Sequence, residues 1–203
     1  MAEIKAIETE YNGYKFRSRL EARWAYFFDM LDIQYQYEPE GIILSDGTRY
    51  LPDFYLPWFK CFLEVKSMDV YEDKEKRLLA EKKISDGMVN DKWPGIIVYG
   101  DPGNYICKVF CYEYNDSSAG TYSSSSGAIF GIHPHKRFPW ICCCGDTKDR
   151  EFYPTACQTS EEMHVTNECE FNAEDFMWPV VKRVMRDARQ ARFEYGETPK
   201  VKR

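Results

Sequence analysis

Residues 95–99 read Gly-Ile-Ile-Val-Tyr, apolar position after position with no alternation. A strand of that composition has no face to offer to water, so both of its faces must be covered. The sequence supplies candidate covers. Residues 18–31 carry Leu20, Trp24, Phe27, Phe28 and Leu31 on one side at helical spacing. Residues 70–85 read as a charged helix that contains Leu78 and Leu79 and stops near Gly87. Between these helices lie strand-like runs. They are residues 34–37, a hairpin of 41–44 with 48–51 across Ser45-Asp46-Gly47, the run 52–56 punctuated by Pro57, and 61–66. Helix, strand meander, helix and buried strand in that order predict an α/β fold, a mixed central sheet flanked by helices.

The rest of the chain is less regular. Runs at 108–114, 128–132, 140–143 and 151–153 predict short strands, so a β-rich C-terminal extension is expected. The Ser-rich stretch 115–127 predicts a long flexible loop. Residues 173–192 form a terminal helix, with Phe176, Val180, Val184 and Ala188 along one stripe. The expected organisation is a core over 1–104, a β-rich extension over 105–176, and a basic helix and tail over 177–203.

Charge follows the same division. The 203-residue chain carries a formal −6. Residues 101–176 hold 5 basic and 12 acidic side chains, whereas residues 177–203 hold 8 and 3. The overall balance argues against a generic nucleic-acid coat, but fields are local, and a basic terminal segment leaves room for a local grip on a polyanion. No apolar run approaches the roughly 18 residues of a membrane span. Residues 1–13 have no apolar core or cleavage signal, so a cytoplasmic location is expected, that of the host if the chain is phage-encoded.

The chemistry concentrates on Cys61-Phe62-Leu63-Glu64-Val65-Lys66. Alternation puts Glu64 and Lys66 on one face of a largely apolar strand, where an acid and a lysine need a partner or a task. Asp53 lies eleven residues upstream, at the end of the preceding strand, after Pro52. If the two strands pair through Trp58-Phe59-Lys60, Asp53 and Glu64 come within reach, and close carboxylates repel unless a proton or a cation lies between them. Hard oxygen ligands of this kind suit Mg²⁺ or Mn²⁺, with the Val65 carbonyl as a further ligand. Lys66 beside such a cation would stabilise an attacking hydroxide or developing phosphate charge.

The pattern Pro52-Asp53, then Glu64-x-Lys66, with Glu21 on the first helix, resembles the PD-(D/E)XK nuclease superfamily. Phe16-Arg17-Ser18-Arg19-Leu20-Glu21, Tyr35-x-Tyr37-Glu38 and Pro52-Asp53-Phe54-x-Leu56-Pro57 extend the likeness over about the first 70 residues. In that stretch the chain is most similar to junction-resolving enzymes of the phage endonuclease I type. The resemblance implies a Mg²⁺- or Mn²⁺-dependent DNA nuclease, expected to be an endonuclease on linear or branched DNA, with RNA left open. Asp53, Glu64 and Glu21 would hold metal and Lys66 would orient the attacking water. A homodimer is implied if two strands of a junction are cut. The alternative is an inactive nuclease-like protein that binds nucleic acid or inhibits.

Other candidates each carry a plainer reading. Ser18 and Glu21 have capping-box spacing, the plainer role for the glutamate taken alone; beside Asp53 and Glu64-x-Lys66 the metal role is preferred, and the two are compatible in part. Arg17, Arg19 and Arg23 are expected on DNA phosphates, or else on a solvated helix face. Lys182, Arg183 and Arg186, with the basic tail, are expected on the phosphate backbone, the alternative being a solvated face and a frayed terminus. The lysines of 73–83 alternate with acids and read as a solvated helix, with Lys82 or Lys83 the exception if one faces substrate. Cys142, Cys144, Cys157 and Cys169 are the zinc candidates. They lack paired knuckles, so idle thiols are the default.

Overall fold

In the computed structural model the buried run lies in the interior of a six-stranded sheet. The structure describes residues 6–44, 46–91, 95–115, 118–124, 129–132, 139–142, 157–159, 162–164 and 179–193. The chain opens with a hairpin, β1 (Thr9–Tyr11) and β2 (Tyr14–Phe16), turned by Asn12 and Gly13. Both turn residues have positive φ (48° and 81°), the geometry that suits an Asn-Gly hairpin turn. Helix α1 (Arg19–Met30) follows, capped by extended Ser18, whose Oγ accepts the Glu21 N–H. Then come β3 (Gln36–Tyr37), a small hairpin of β4 (Ile42–Ile43) and β5 (Arg49–Tyr50), β6 (Phe54–Leu56) and β7 (Cys61–Lys66). Two helices, α2 (Met68–Glu72) and α3 (Lys74–Asp91), lead to β8 (Gly95–Asp101) and β9 (Asn104–Asn115). Strand β10 (Ser118–Ser124) follows. Two further pairs are β11 (Ile129–Ile132) with β12 (Pro139–Cys142) and β13 (Cys157–Thr159) with β14 (Glu162–His164). The last element is α4 (Pro179–Gln190).

The sheet order is β10-β9-β8-β7-β6-β3. Its pairings are antiparallel except β7 with β8, which is parallel and spanned by α2 and α3. The expected mixed sheet flanked by helices is therefore present. On one face Leu63, Val65, Ile96, Val98 and Cys107 join Trp24, Phe27 and Phe28 of α1 and Val181, Val184 and Ala188 of α4 in one core. On the other, Ile97, Tyr99 and Phe110 meet Ile84 of α3, with Val70 and Tyr71 of α2 alongside. The β4–β5 hairpin adds a third cluster, Ile42, Leu44 and Tyr50 over Phe62.

Four expectations change. The charged helix starts earlier and breaks once: the Asp73 carboxylate accepts the Glu75 and Lys76 N–H groups, so it ends α2 and caps α3. It also runs through Gly87 to Asp91. Leu78 and Leu79 are exposed, because α3 turns Arg77, Ala80, Glu81 and Ile84 inward, and Glu81 meets Lys108 Nζ at 2.7 Å and Tyr99 Oη at 3.3 Å. The division after residue 104 falls at the turn of the β8–β9 hairpin, so residues 105–115 complete the core sheet. The stretch expected as a loop contains β10, paired to β9 from Ser118 with Asn115 to Ser124 with Val109. The expected strand at 151–153 and the start of the terminal helix at 173–178 lie outside the described residues. No helix among the described residues is long and apolar enough to cross a membrane.

Candidate active site

The site grows from the register of two strands, β6 and β7. Phe54 pairs with Leu63, so Asp53, one position back, stands opposite Glu64 at the strand's end. Alternation then puts Asp53, Glu64 and Lys66 on the same face. The backbone completes the link: the Val65 N–H donates to Asp53 Oδ2 at 2.7 Å. Asp53 and Glu64 are both buried, at 2% and 6% relative exposure. The pairing expected from the sequence is therefore the pairing the fold adopts.

Every oxygen of these acids has a donor. Arg17 Nη2 donates to Asp53 Oδ1 at 2.5 Å. Lys66 Nζ is ion-paired with Glu64 Oε1, and Tyr50 Oη donates to Glu64 Oε2 at 2.6 Å. Tyr50 reaches Glu64 because the β4–β5 hairpin folds over Phe62, two residues before Glu64 on the same strand face.

Glu21 is held separately, at the start of α1. Ser18 Oγ donates to its Oε1 at 2.7 Å, and Tyr37 Oη donates to its Oε2 at 2.6 Å, where the Arg17 N–H also donates at 3.1 Å. Ser18 and Glu21 thus make the capping contacts anticipated at the helix end. Among the described residues no three His, Cys, Asp or Glu side chains converge as a metal-ligand group. The expected three-carboxylate set of Glu21, Asp53 and Glu64 is not assembled, because Glu21 is tied to Ser18, Tyr37 and the Arg17 backbone.

The electrostatics follow from burial and crowding. Burial, then neighbouring Glu64, push Asp53 well above the ordinary carboxylate range, with Glu21 adding to the effect. Burial pulls Lys66 down, but Glu64 and Asp53 outweigh it and hold the ammonium above its usual value. Burial likewise opposes the Arg17 charge, and Asp53, Tyr37, Glu21 and Glu38 together more than restore it. Burial and the Glu64 charge raise the Tyr50 hydroxyl, so it is a firm donor.

The donor set fits a small hard cation. Mg²⁺ and Mn²⁺ sites use one or two carboxylates and several waters, and Asp53 with Glu64 supplies two buried carboxylates that need positive charge. Arg17 and Lys66 supply that charge in the protein alone.

The remaining candidates are distributed as follows. Arg17 touches Asp53 and, through Nε, Glu38 Oε1 at 2.7 Å. Arg19 opens α1, half-buried. Arg23 is turned to Asp101 of β8, with Nη1 2.7 Å from Oδ1, which places its charge on the protein rather than at a phosphate-facing rim. Lys182, Arg183 and Arg186 are exposed on the face of α4 opposite Val181, Val184 and Ala188, and Arg186 contacts Asp187 at 3.2 Å. Lys82 and Lys83 are exposed on α3. Cys142 lies on β12, and Cys157 stands opposite His164 in the β13–β14 register. Cys144 and Cys169 lie outside the described residues.

Three positioning residues were not identified from the sequence: Tyr37, Tyr50 and Glu38. Tyr37 and Glu38 lay inside the quoted motif without a role. Tyr50 had no local signal, since only the folding of a hairpin onto the sheet brings it to Glu64. Against known proteins, no family model matches the chain and no curated protein matches it.

Proposed function

We propose that this chain is a metal-dependent nuclease that hydrolyses DNA phosphodiesters, an endonuclease with a PD-(D/E)XK-like core. One observation carries the reading. Two buried carboxylates, Asp53 and Glu64, face each other on adjoining strands with Lys66 two positions on, and burial and the Glu64 charge work against ionisation of Asp53. A divalent cation held by Asp53 and Glu64 would supply Lewis-acid charge for water activation and for the phosphate. The chain's own groups do the rest. Tyr50 fixes the Glu64 carboxylate in one orientation, and the Val65 N–H fixes Asp53. Lys66 keeps a protonated ammonium at the edge of the pair, where it can hold a water or a phosphate oxygen. Glu21 adds negative field without joining the pair. The exposed basic face of α4 is suited to the phosphate backbone of linear or branched DNA.

A second reading has an observation of its own: all six oxygens of Glu21, Asp53 and Glu64 accept from protein groups. A closed network of that kind also suits a nuclease-like protein that binds nucleic acid without cutting it. A cleavage assay with Mg²⁺ and Mn²⁺ on linear, flapped and four-way DNA separates the two. Cutting that is lost in Glu64→Ala and Lys66→Ala supports the nuclease. Retention of full cutting in either variant removes the assigned site, and binding without cutting under every metal selects the second reading.

A further inference from the structure

Arg17 reaches the floor of the site from its rim. Nη2 donates to Asp53 Oδ1 at 2.5 Å and Nε to Glu38 Oε1 at 2.7 Å. The Arg17 side chain is 54% exposed, whereas that of Asp53 is 2% exposed. One end of the guanidinium is therefore lodged on a buried carboxylate while the rest faces solvent. Resting on the nuclease reading above, we infer that Arg17 is a substrate-phosphate ligand that stands on Asp53 in place of a divalent cation. The cation frees it, so metal and nucleic acid bind with positive coupling.

The argument is one of available oxygens and charge. Asp53 Oδ2 is taken by the Val65 N–H, which the β6–β7 pairing fixes in place. Oδ1 is the oxygen whose donor can move, since that donor is the tip of a long, half-exposed side chain. A cation and a guanidinium on one oxygen repel each other, which favours exchange of one for the other. The departing guanidinium does not leave the site. Glu38 holds Nε, and Glu38 is itself fixed by its N–H on the Asp53 carbonyl at 2.9 Å. Glu38 sits at φ 45°, a left-handed backbone that a non-glycine residue adopts only when its surroundings impose it. Tethered at the rim and stripped of Asp53, the planar fork matches two oxygens of a phosphate. By linkage, what metal does for phosphate binding, phosphate does equally for metal binding.

The test uses the full chain. Mn²⁺ binding is followed by the free-ion paramagnetic resonance signal, and duplex binding by anisotropy with and without Ca²⁺. Folding of each variant is checked by circular dichroism. Arg17→Gln is expected to bind Mn²⁺ about 5- to 100-fold more tightly than wild type without DNA, and to lose the cation-induced gain in duplex affinity. Arg23→Gln, which removes an equal charge paired elsewhere, is expected to bind Mn²⁺ as wild type does. If Asp53→Asn abolishes Mn²⁺ binding but Arg17→Gln leaves it unchanged or weaker, the displacement is wrong and the metal site stands. Equal tightening in Arg17→Gln and Arg23→Gln reduces the effect to a general field and also overturns it. A wild-type protein that binds no Mn²⁺, or binding that Asp53→Asn leaves intact, removes the metal reading and the displacement with it.

Discussion

The Tyr50 hydroxyl donates to Glu64 Oε2 at 2.6 Å across 14 residues of sequence. A hairpin that is not part of the central sheet thereby orients an acid in its interior. Tyr50→Phe keeps the ring among Ile42, Leu44 and Phe62 and removes only the donor. The expected outcome is a 10- to 100-fold loss of metal affinity or cleavage, as outer partners of metal ligands typically show. A Tyr50→Phe protein that binds Mn²⁺ and cleaves at wild-type levels would show that Glu64 needs no such support.

Asp53 makes the metal-free protein sensitive to pH. Burial and Glu64 push its carboxyl up to about 8, against an ordinary value of 3.8. Between those values the unfolded state has released its proton, whereas in the folded state burial favours the proton on Asp53 and the Arg17 guanidinium at Oδ1 favours the carboxylate. Stability from this group is thus fully present below pH 4 and declines as pH rises toward 8. Arg17, being half exposed and screened, offsets only part of the decline. Asp53→Asn cannot ionise and should flatten this dependence, with a gain of about 1–2 kcal/mol at pH 8. Urea denaturation with chelator at pH 5 and pH 8 measures it, and an unchanged pH slope in Asp53→Asn counts against a protonated Asp53.

Divalent ions should act in the opposite sense. A ligand that binds only the folded state adds about 2.7 kcal/mol at a hundredfold excess over its Kd. For a chain of this size that raises Tm by about 5–10 °C. Asp53→Asn should blunt the rise, whereas Glu21→Gln should keep most of it, because Glu21 is tied to Ser18 and Tyr37. A thermal scan with and without Mg²⁺ in which Glu21→Gln abolishes the rise would return Glu21 to the ligand set.

Ser18 carries the helix end as well as the glutamate. Its Oγ accepts the Glu21 N–H at 3.2 Å and donates to Glu21 Oε1 at 2.7 Å. Ser18→Ala should cost about 1 kcal/mol, the typical value of a lost N-cap. Chemical denaturation checks the magnitude. A neutral substitution would mean that the bonds from Tyr37 and the Arg17 N–H secure the start of α1 without the cap.

Gly100 tolerates no side chain. Its φ is +101°, and a Cβ there would stand 2.6 Å from the Asn104 carbonyl and 3.0 Å from the Met68 methyl. Its own carbonyl accepts the buried Trp24 indole N–H at 3.0 Å. Gly100→Ala should destabilise by about 1–3 kcal/mol through backbone strain and displacement of that bond. A melting temperature within a degree of wild type would show that the β8–β9 turn yields more easily than its contacts suggest.

What was legible in the sequence depended on the range of the signal. Asp53, Glu64 and Lys66 could be placed on one face because alternation along a strand is local and the intervening turn is short. The aromatic stripe of α1 and the buried β8 were readable for the same reason. Tyr50 and the lodging of Arg17 on Asp53 arise from tertiary approach, and no spacing encodes them. Helix α3 misled because its inward stripe is partly polar: Arg77 and Glu81 face Tyr99 and Lys108, so its two leucines point to solvent. The Ser-rich run before Ser124 offered no hydrophobic alternation, yet backbone pairing with β9 makes it a strand.

The parallel pairing of β7 with β8 has a consequence for how the chain is made. Antiparallel β6–β7 closes across a four-residue turn, whereas β8 reaches β7 only after α2 and α3 have been laid down. Until β8 arrives, the edge of β7 that β8 will pair with presents unpaired backbone N–H and C=O groups, beside the apolar side chains of Leu63 and Val65. Unpaired edges of that kind recruit other strands. The interval between synthesis of β7 and arrival of β8 is therefore when this chain is most exposed to aggregation, and the strand that carries the site is the strand at risk.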